Sequence, residues 1–127
     1  MARKTSLLIV DDSRSVIAQL EGMLKEFDSV EVVGSARDGA GAVRMVAEHT
    51  PDLVLMDIVM PGMDGLAALR IIAARHPEVN VAMLSSVGGR ASLAEEAFRL
   101  GAIQVLGKPL EKAHLARLLS GLKRNED

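Results

Sequence analysis

Three uninterrupted apolar runs constrain this chain more than any other feature: Leu7-Leu8-Ile9-Val10, Leu53-Val54-Leu55-Met56 and Val81-Ala82-Met83-Leu84. A fourth, Ile103-Gln104-Val105-Leu106-Gly107, carries a single polar residue. None alternates apolar with polar residues, as a strand with one wet face would. Unbroken runs of this length suit strands buried on both faces of a parallel sheet. Each stops at a residue able to handle phosphate or metal: Asp11-Asp12, Asp57, Ser85-Ser86 and Lys108-Pro109.

Amphipathic stretches fill the intervals. After the first strand (6–10), Asp12-Ser13 offers a cap. Val16, Ile17, Leu20, Met23, Leu24 and Phe27 then recur at three- and four-residue spacing, predicting a helix over 13–27. Val30–Gly34 reads as the second strand and 38–49 as the second helix, with Asp38 as its cap. Pro51 separates that helix from the third strand, 53–57. The loop Met60-Pro61-Gly62-Met63-Asp64-Gly65 leads to a helix ending at Arg75, with Asp64 as cap. A strand over 79–84, a helix over about 91–100 closed by Gly101, a strand over about 102–107 and a helix from Glu111 to about Leu122 complete five βα units. Right-handed crossovers place the loops after the strands on one edge, where open sheets of this kind bind ligands.

Composition narrows the chemistry. With 127 residues and 49% hydrophobic content, one domain with a real core is expected. Phe27 and Phe98 are the only aromatics, so the core is aliphatic and a flavin or single-stranded nucleic acid has no stacking platform. Cysteine is absent, which excludes disulfides and thiolate sites. The net charge of −2 and the lack of a basic stripe give nucleic acid no electrostatic support. The apolar stretch after Arg3-Lys4 is too short for a signal peptide or membrane span. A cytoplasmic protein without a membrane or nucleic-acid partner is expected.

Two carboxylates about 4 Å apart repel by about 4 kcal/mol at an effective dielectric near 20. A cluster of Asp11, Asp12 and Asp57 therefore raises a pKa or recruits a cation, and all-oxygen donors favour Mg2+ (or Mn2+). With Lys108 and a Ser85 hydroxyl nearby, the set suits phosphoryl transfer, which is mostly positioning and charge neutralisation. The histidines His49, His76 and His114 fall on helix ends or exposed faces and read as uninvolved.

In this order and spacing, Asp11-Asp12, Asp57, the Met60–Gly65 loop, Ser85, Gly101-Ala102 and Lys108-Pro109 resemble the receiver domain of two-component response regulators, over almost the whole chain. The resemblance implies an α/β, flavodoxin-like (βα)5 doubly wound parallel sheet of strand order 2-1-3-4-5. It implies that Asp57 takes a phosphoryl group from the phosphohistidine of a sensor histidine kinase or histidine phosphotransfer protein. Asp11, Asp12, Asp57 and the backbone carbonyl of Val59 would serve Mg2+, Asp11 mainly through water. Lys108 would pair with the phosphoryl group, Ser85 would follow it, and Lys108–Pro109 would be cis. Ser86 competes with Ser85 for the sensing role.

The implied protein is not an enzyme beyond assisting its own phosphorylation and dephosphorylation. It would be a single receiver domain over 1–127 with no effector domain, signalling through a partner on the helix 4–strand 5–helix 5 face or through a phosphorelay. An isolated receiver cut from a longer DNA-binding or enzymatic regulator would read the same way. Two departures stand out. Val105 replaces the aromatic usual on the fifth strand, so the readout would fall to the Ser85–Ala91 loop with Gly88 and Gly89. Val59 and Val87 would flank the acyl phosphate and impede water, making the phosphoryl group long-lived. Competing readings are weaker: a Mg2+-dependent phosphohydrolase of haloacid-dehalogenase type needs a second acid where Val59 stands, and a flavodoxin-type electron carrier needs aromatics.

Overall fold

The computed structural model describes residues 3–86 and 91–122. Five strands and five helices alternate: β1 (Thr5–Val10), α1 (Arg14–Leu24), β2 (Val30–Ala36), α2 (Gly39–His49), β3 (Leu53–Asp57), α3 (Gly65–Arg75), β4 (Asn80–Ser85), α4 (Ala91–Arg99), β5 (Gln104–Gly107) and α5 (Lys112–Ser120). All pairings are parallel and the order is β2-β1-β3-β4-β5, the predicted doubly wound sheet.

Two aliphatic layers cover it. On one face Leu7, Ile9, Leu53, Leu55, Ala82 and Leu84 pack with Ile17, Leu20 and Leu24 of α1 and Leu115 of α5. On the other, Leu8, Val10, Val54, Met56, Val81 and Met83 pack with residues of α2, α3 and α4. Leu7–Val10 of β1 and Leu53–Met56 of β3 are fully buried, which is why those runs could stay apolar on both faces. The fourth run differs: β5 is an outer strand, with Val105 and Leu106 half-buried and Gln104 and Gly107 exposed.

Boundaries shift where local capping outcompetes hydrophobic periodicity. α1 starts after Ser13, whose side chain accepts from the Val16 amide, and ends three residues before Phe27. β2 extends past Gly34 to Ala36, because β1 continues to supply partners through Val10. β5 begins at Gln104, with Ala102 buried ahead of it. Ser85 closes β4 instead of following it. Asp38 and Asp64 cap α2 and α3 by accepting from Gly41 and Ala67. Gly101, at φ +113°, takes the left-handed turn that closes α4. No helix among the described residues is long and apolar enough to cross a membrane.

At the sheet edge away from the aspartates, Arg3 grips Asp52 with two hydrogen bonds of 2.7 and 2.8 Å, and the Ser6 amide and hydroxyl donate to the same carboxylate. Burial by itself would raise the Asp52 pKa, but Arg3 and Ser6 outweigh it and hold the carboxyl below its ordinary 3.8. The stabilisation is therefore complete above that value and lost as pH falls through the depressed one. Half-exposure of Arg3 limits it to about 1 kcal/mol. Arg3→Ala should lower the melting temperature at pH 7, with the deficit shrinking toward pH 3; thermal melts across that range check it.

Candidate functional site

Strand register builds the acidic cluster. Val10 of β1 pairs with Met56 of β3, so the next residues, Asp11 and Asp57, emerge side by side at the carboxyl ends of two buried strands. Asp11 is fully buried and Asp57 nearly so, whereas Asp12 is exposed. One carboxylate oxygen from each of the three lies within 4.8 Å of the others. Asp11 Oδ1 accepts from the Ser13 amide at 3.0 Å, which fixes the turn into α1.

Lys108 reaches them from the far side. Asp57 pairs with Leu84 of β4, and Ser85 of β4 pairs with Gly107 of β5, just before Lys108. Two strand spacings of about 4.8 Å separate β3 from β5, a gap only a long side chain can bridge. Its Nζ stands 2.6 Å from Asp11 Oδ2 and 3.3 Å from Asp57 Oδ2. The Lys108 amide donates to the Ser85 carbonyl at 2.8 Å, tying the two strand ends together, and Lys108–Pro109 is cis as expected.

The electrostatics do not balance. Burial raises the Asp57 carboxyl above its ordinary 3.8 and Asp11 pushes it further, while Lys108 and the Val59 amide pull it down without cancelling the rise. Burial would lower the Lys108 pKa, but Asp11 and Asp57 overcome that and hold the ammonium above 10.5. Two buried anions thus share one cation. Asp11 Oδ2 has a charge partner in Lys108 yet no donor in hydrogen-bonding geometry. An all-oxygen set with surplus negative charge and an under-coordinated buried oxygen fits a hard divalent cation such as Mg2+.

The other anticipated residues fall around this centre. Val59, two residues beyond Asp57, is 65% exposed. Ser85 is half-buried with its Oγ 3.4 Å from the Ser86 carbonyl oxygen, and Ser86 is exposed. Ser86 also lines a groove of about 730 Å3, together with Val16, Leu20 and Met23 of α1 and Lys108 and Leu110. Periodicity gave no sign of that groove, where Val16 and Met23 of α1 are only partly covered. Across it, Lys112 pairs with Glu26, 86 residues away in sequence. Val105, in place of an aromatic, packs half-buried on the α4 side of the sheet. Val87, Gly88 and Gly89 lie outside the described residues.

Residues 7–120 match the response regulator receiver domain family, and the chain belongs to it. It is 42% identical over 103 residues to a protein-glutamate methylesterase/protein-glutamine glutaminase of Myxococcus xanthus, covering 81% of this chain and 30% of that protein. A second such protein, from Rhodopseudomonas palustris, is 42% identical over 108 residues, with 84% and 30% covered. The chain thus spans about a third of the length of these relatives. Among solved structures, the CheX–CheY–BeF3–Mg2+ complex of Borrelia burgdorferi superposes with a TM-score of 0.86 at 30% identity, covering 95% of this chain and 92% of that one. The response regulator domain of Thermotoga maritima CheB gives 0.82 at 32% identity, covering 93% and 92%.

Because the Asp57 pKa is raised by folding, the protein gains most when that carboxyl is neutral and loses this as pH rises through the folded value. At neutral pH and without metal the ionised form is a burden. Asp57→Asn keeps the shape, removes the surplus charge and should raise the melting temperature of metal-free protein by about 3–6 °C. Calorimetry in a chelating buffer checks this, and an unchanged or lower value would refute the imbalance.

Proposed function

We propose that Asp57 accepts a phosphoryl group from the phosphohistidine of a sensor histidine kinase or histidine phosphotransfer protein. The observation that carries this is the pairing of two buried, register-adjacent carboxylates with one lysine at the open sheet edge. An Asp57 carboxylate oxygen attacks phosphorus in line with the P–N bond. As the new P–O bond forms, the P–N electron pair returns to the imidazole, leaving an acyl phosphate on Asp57.

Asp11, Asp12, Asp57 and the Val59 carbonyl would hold the divalent cation, Mg2+ or Mn2+, with Asp11 acting mainly through water. When bound, it neutralises charge on the phosphoryl oxygens. Lys108, held between Asp11 and Asp57, can turn to a phosphoryl oxygen once the Asp57 charge moves outward. Ser85 then donates its hydroxyl to another oxygen. Its place at the end of β4, one residue past the partner of Asp57, supports this role over Ser86.

The 127 residues are read as one receiver unit of the cytoplasm that assists only its own phosphorylation and dephosphorylation. Neither nucleic acid nor membrane is a partner in this reading, given the net charge of −2. Output runs through a protein docking on the α4–β5–α5 face. Because the matched relatives are methylesterases about three times as long, a second reading makes this domain the regulatory part of such an enzyme. A phosphohydrolase is disfavoured by Val59, which stands where a second acid would be needed.

Incubation with acetyl phosphate and Mg2+ should add about 80 Da, as expected for one phosphoryl group on a carboxylate. The gain should vanish in Asp57→Ala and form about 100-fold more slowly in Lys108→Ala. Sustained turnover of phosphate esters would instead establish an enzyme. A further expectation concerns lifetime. Val59 presents an exposed apolar side chain beside the acceptor, where it impedes attacking water. Intact-mass measurements after removal of the donor should show the adduct persisting well beyond seconds, and loss within seconds would overturn that role.

A further inference from the structure

The loop that carries Val59 is held at two places. At its base the Gly65 amide donates to the Ile58 carbonyl at 2.7 Å, with Gly65 seated directly against the Asp57 carbonyl. Farther along, the amide of Gly39 donates to the Met63 carbonyl at 3.1 Å. Gly39 opens α2, and none of the charged residues of the acidic site lies on that helix.

A helix N-terminus has free amides, so any residue there could offer the donor. What Gly39 alone supplies is room. A β-carbon at this position would stand 2.5 Å from the Met63 carbonyl oxygen and 2.9 Å from its Cγ. The closest obstacle is backbone, which no rotamer change relieves. Gly39 is buried, so neither partner can turn out to solvent without disturbing the helix start. Only three residues separate Val59 from Met63, and two of them, the buried Met60 and Pro61 with its fixed φ, limit how far a shift can be absorbed.

We propose that Gly39 is a positioning residue for the metal side of the site: by seating the Met63 carbonyl against α2 it fixes where Val59 presents its own carbonyl. Cation affinity then depends on a residue that touches no reacting group. This rests on the Mg2+ reading above. Groups that orient ligands from behind typically change metal affinity by about 10- to 100-fold when removed.

The test uses Mn2+, whose free ion is counted by electron paramagnetic resonance. Wild-type protein should bind one equivalent, and Asp12→Ala should abolish binding; if wild type fails to bind, the metal reading itself is wrong. Given wild-type binding, Gly39→Ala should weaken it about tenfold. The control is Gly22→Ala on α1, where a β-carbon meets nothing within 4 Å and affinity should hold. Folded Gly39→Ala protein with wild-type affinity overturns the proposal, even if its melting temperature falls. Should that variant not fold, wild-type amide resonances decide. The Gly39 signal should move with added Mg2+ at the binding midpoint while that of Gly22 stays still, and an unmoved Gly39 signal also overturns it.

Discussion

The fully buried carboxylate of Asp11 beside that of Asp57 is the interaction on which the rest of this molecule turns. Neither can be screened by water as a surface acid would be, and Lys108 supplies one positive charge for the two. An arrangement that leaves net negative charge in a low-dielectric setting is unfavourable for the protein by itself. It persists because the register of β1 against β3 gives no other outcome: once Val10 opposes Met56, the two aspartates must meet. The buried strands stabilise the domain enough to hold the site in a state that a cation would relieve.

That relief links the chemistry to the surface. Lys108 sits at the end of β5, and its amide is bonded to the Ser85 carbonyl at the end of β4. A change in what the Lys108 ammonium contacts therefore acts on the two strand ends that flank the segment leading into α4. β5 is the most weakly buried strand of the sheet, so this corner can move at little packing cost. β1 and β3, packed on both faces, cannot. Asp11 and Asp57 sit on the rigid half of the sheet and the lysine on the compliant half.

Much of this was legible in the chain. Non-alternating apolar runs imply burial on both faces, and a polar residue ending each run implies a shared edge, so the parallel sheet and the gathering of Asp11, Asp12, Asp57 and Lys108 followed from pattern, and the strand order from the family resemblance. Three things did not. β5 carries a largely apolar run broken only by Gln104, yet as an outer strand it is only half-covered, because run composition by itself does not tell a central strand from an edge. Ser85 belongs to β4, since backbone pairing with Gly107 extends the strand past its last apolar residue. The seat of Met63 on Gly39 was invisible, because that glycine reads as a loose helix start until a backbone 24 positions away is laid against it.

Val105 bears on how such a site can report its state. An aromatic on this strand could swing between a buried and an exposed rotamer as space opens behind a moving hydroxyl. A β-branched valine has a stiff first torsion and no comparable reach. It packs half-buried against the α4 side of the sheet. If the α4–β5–α5 face is the output surface, its two arrangements would differ in backbone, not in one ring. A switch of that kind would depend on the pull Lys108 exerts on Ser85 through their backbone hydrogen bond, and so on the charge balance between Asp11 and Asp57 with which the site begins.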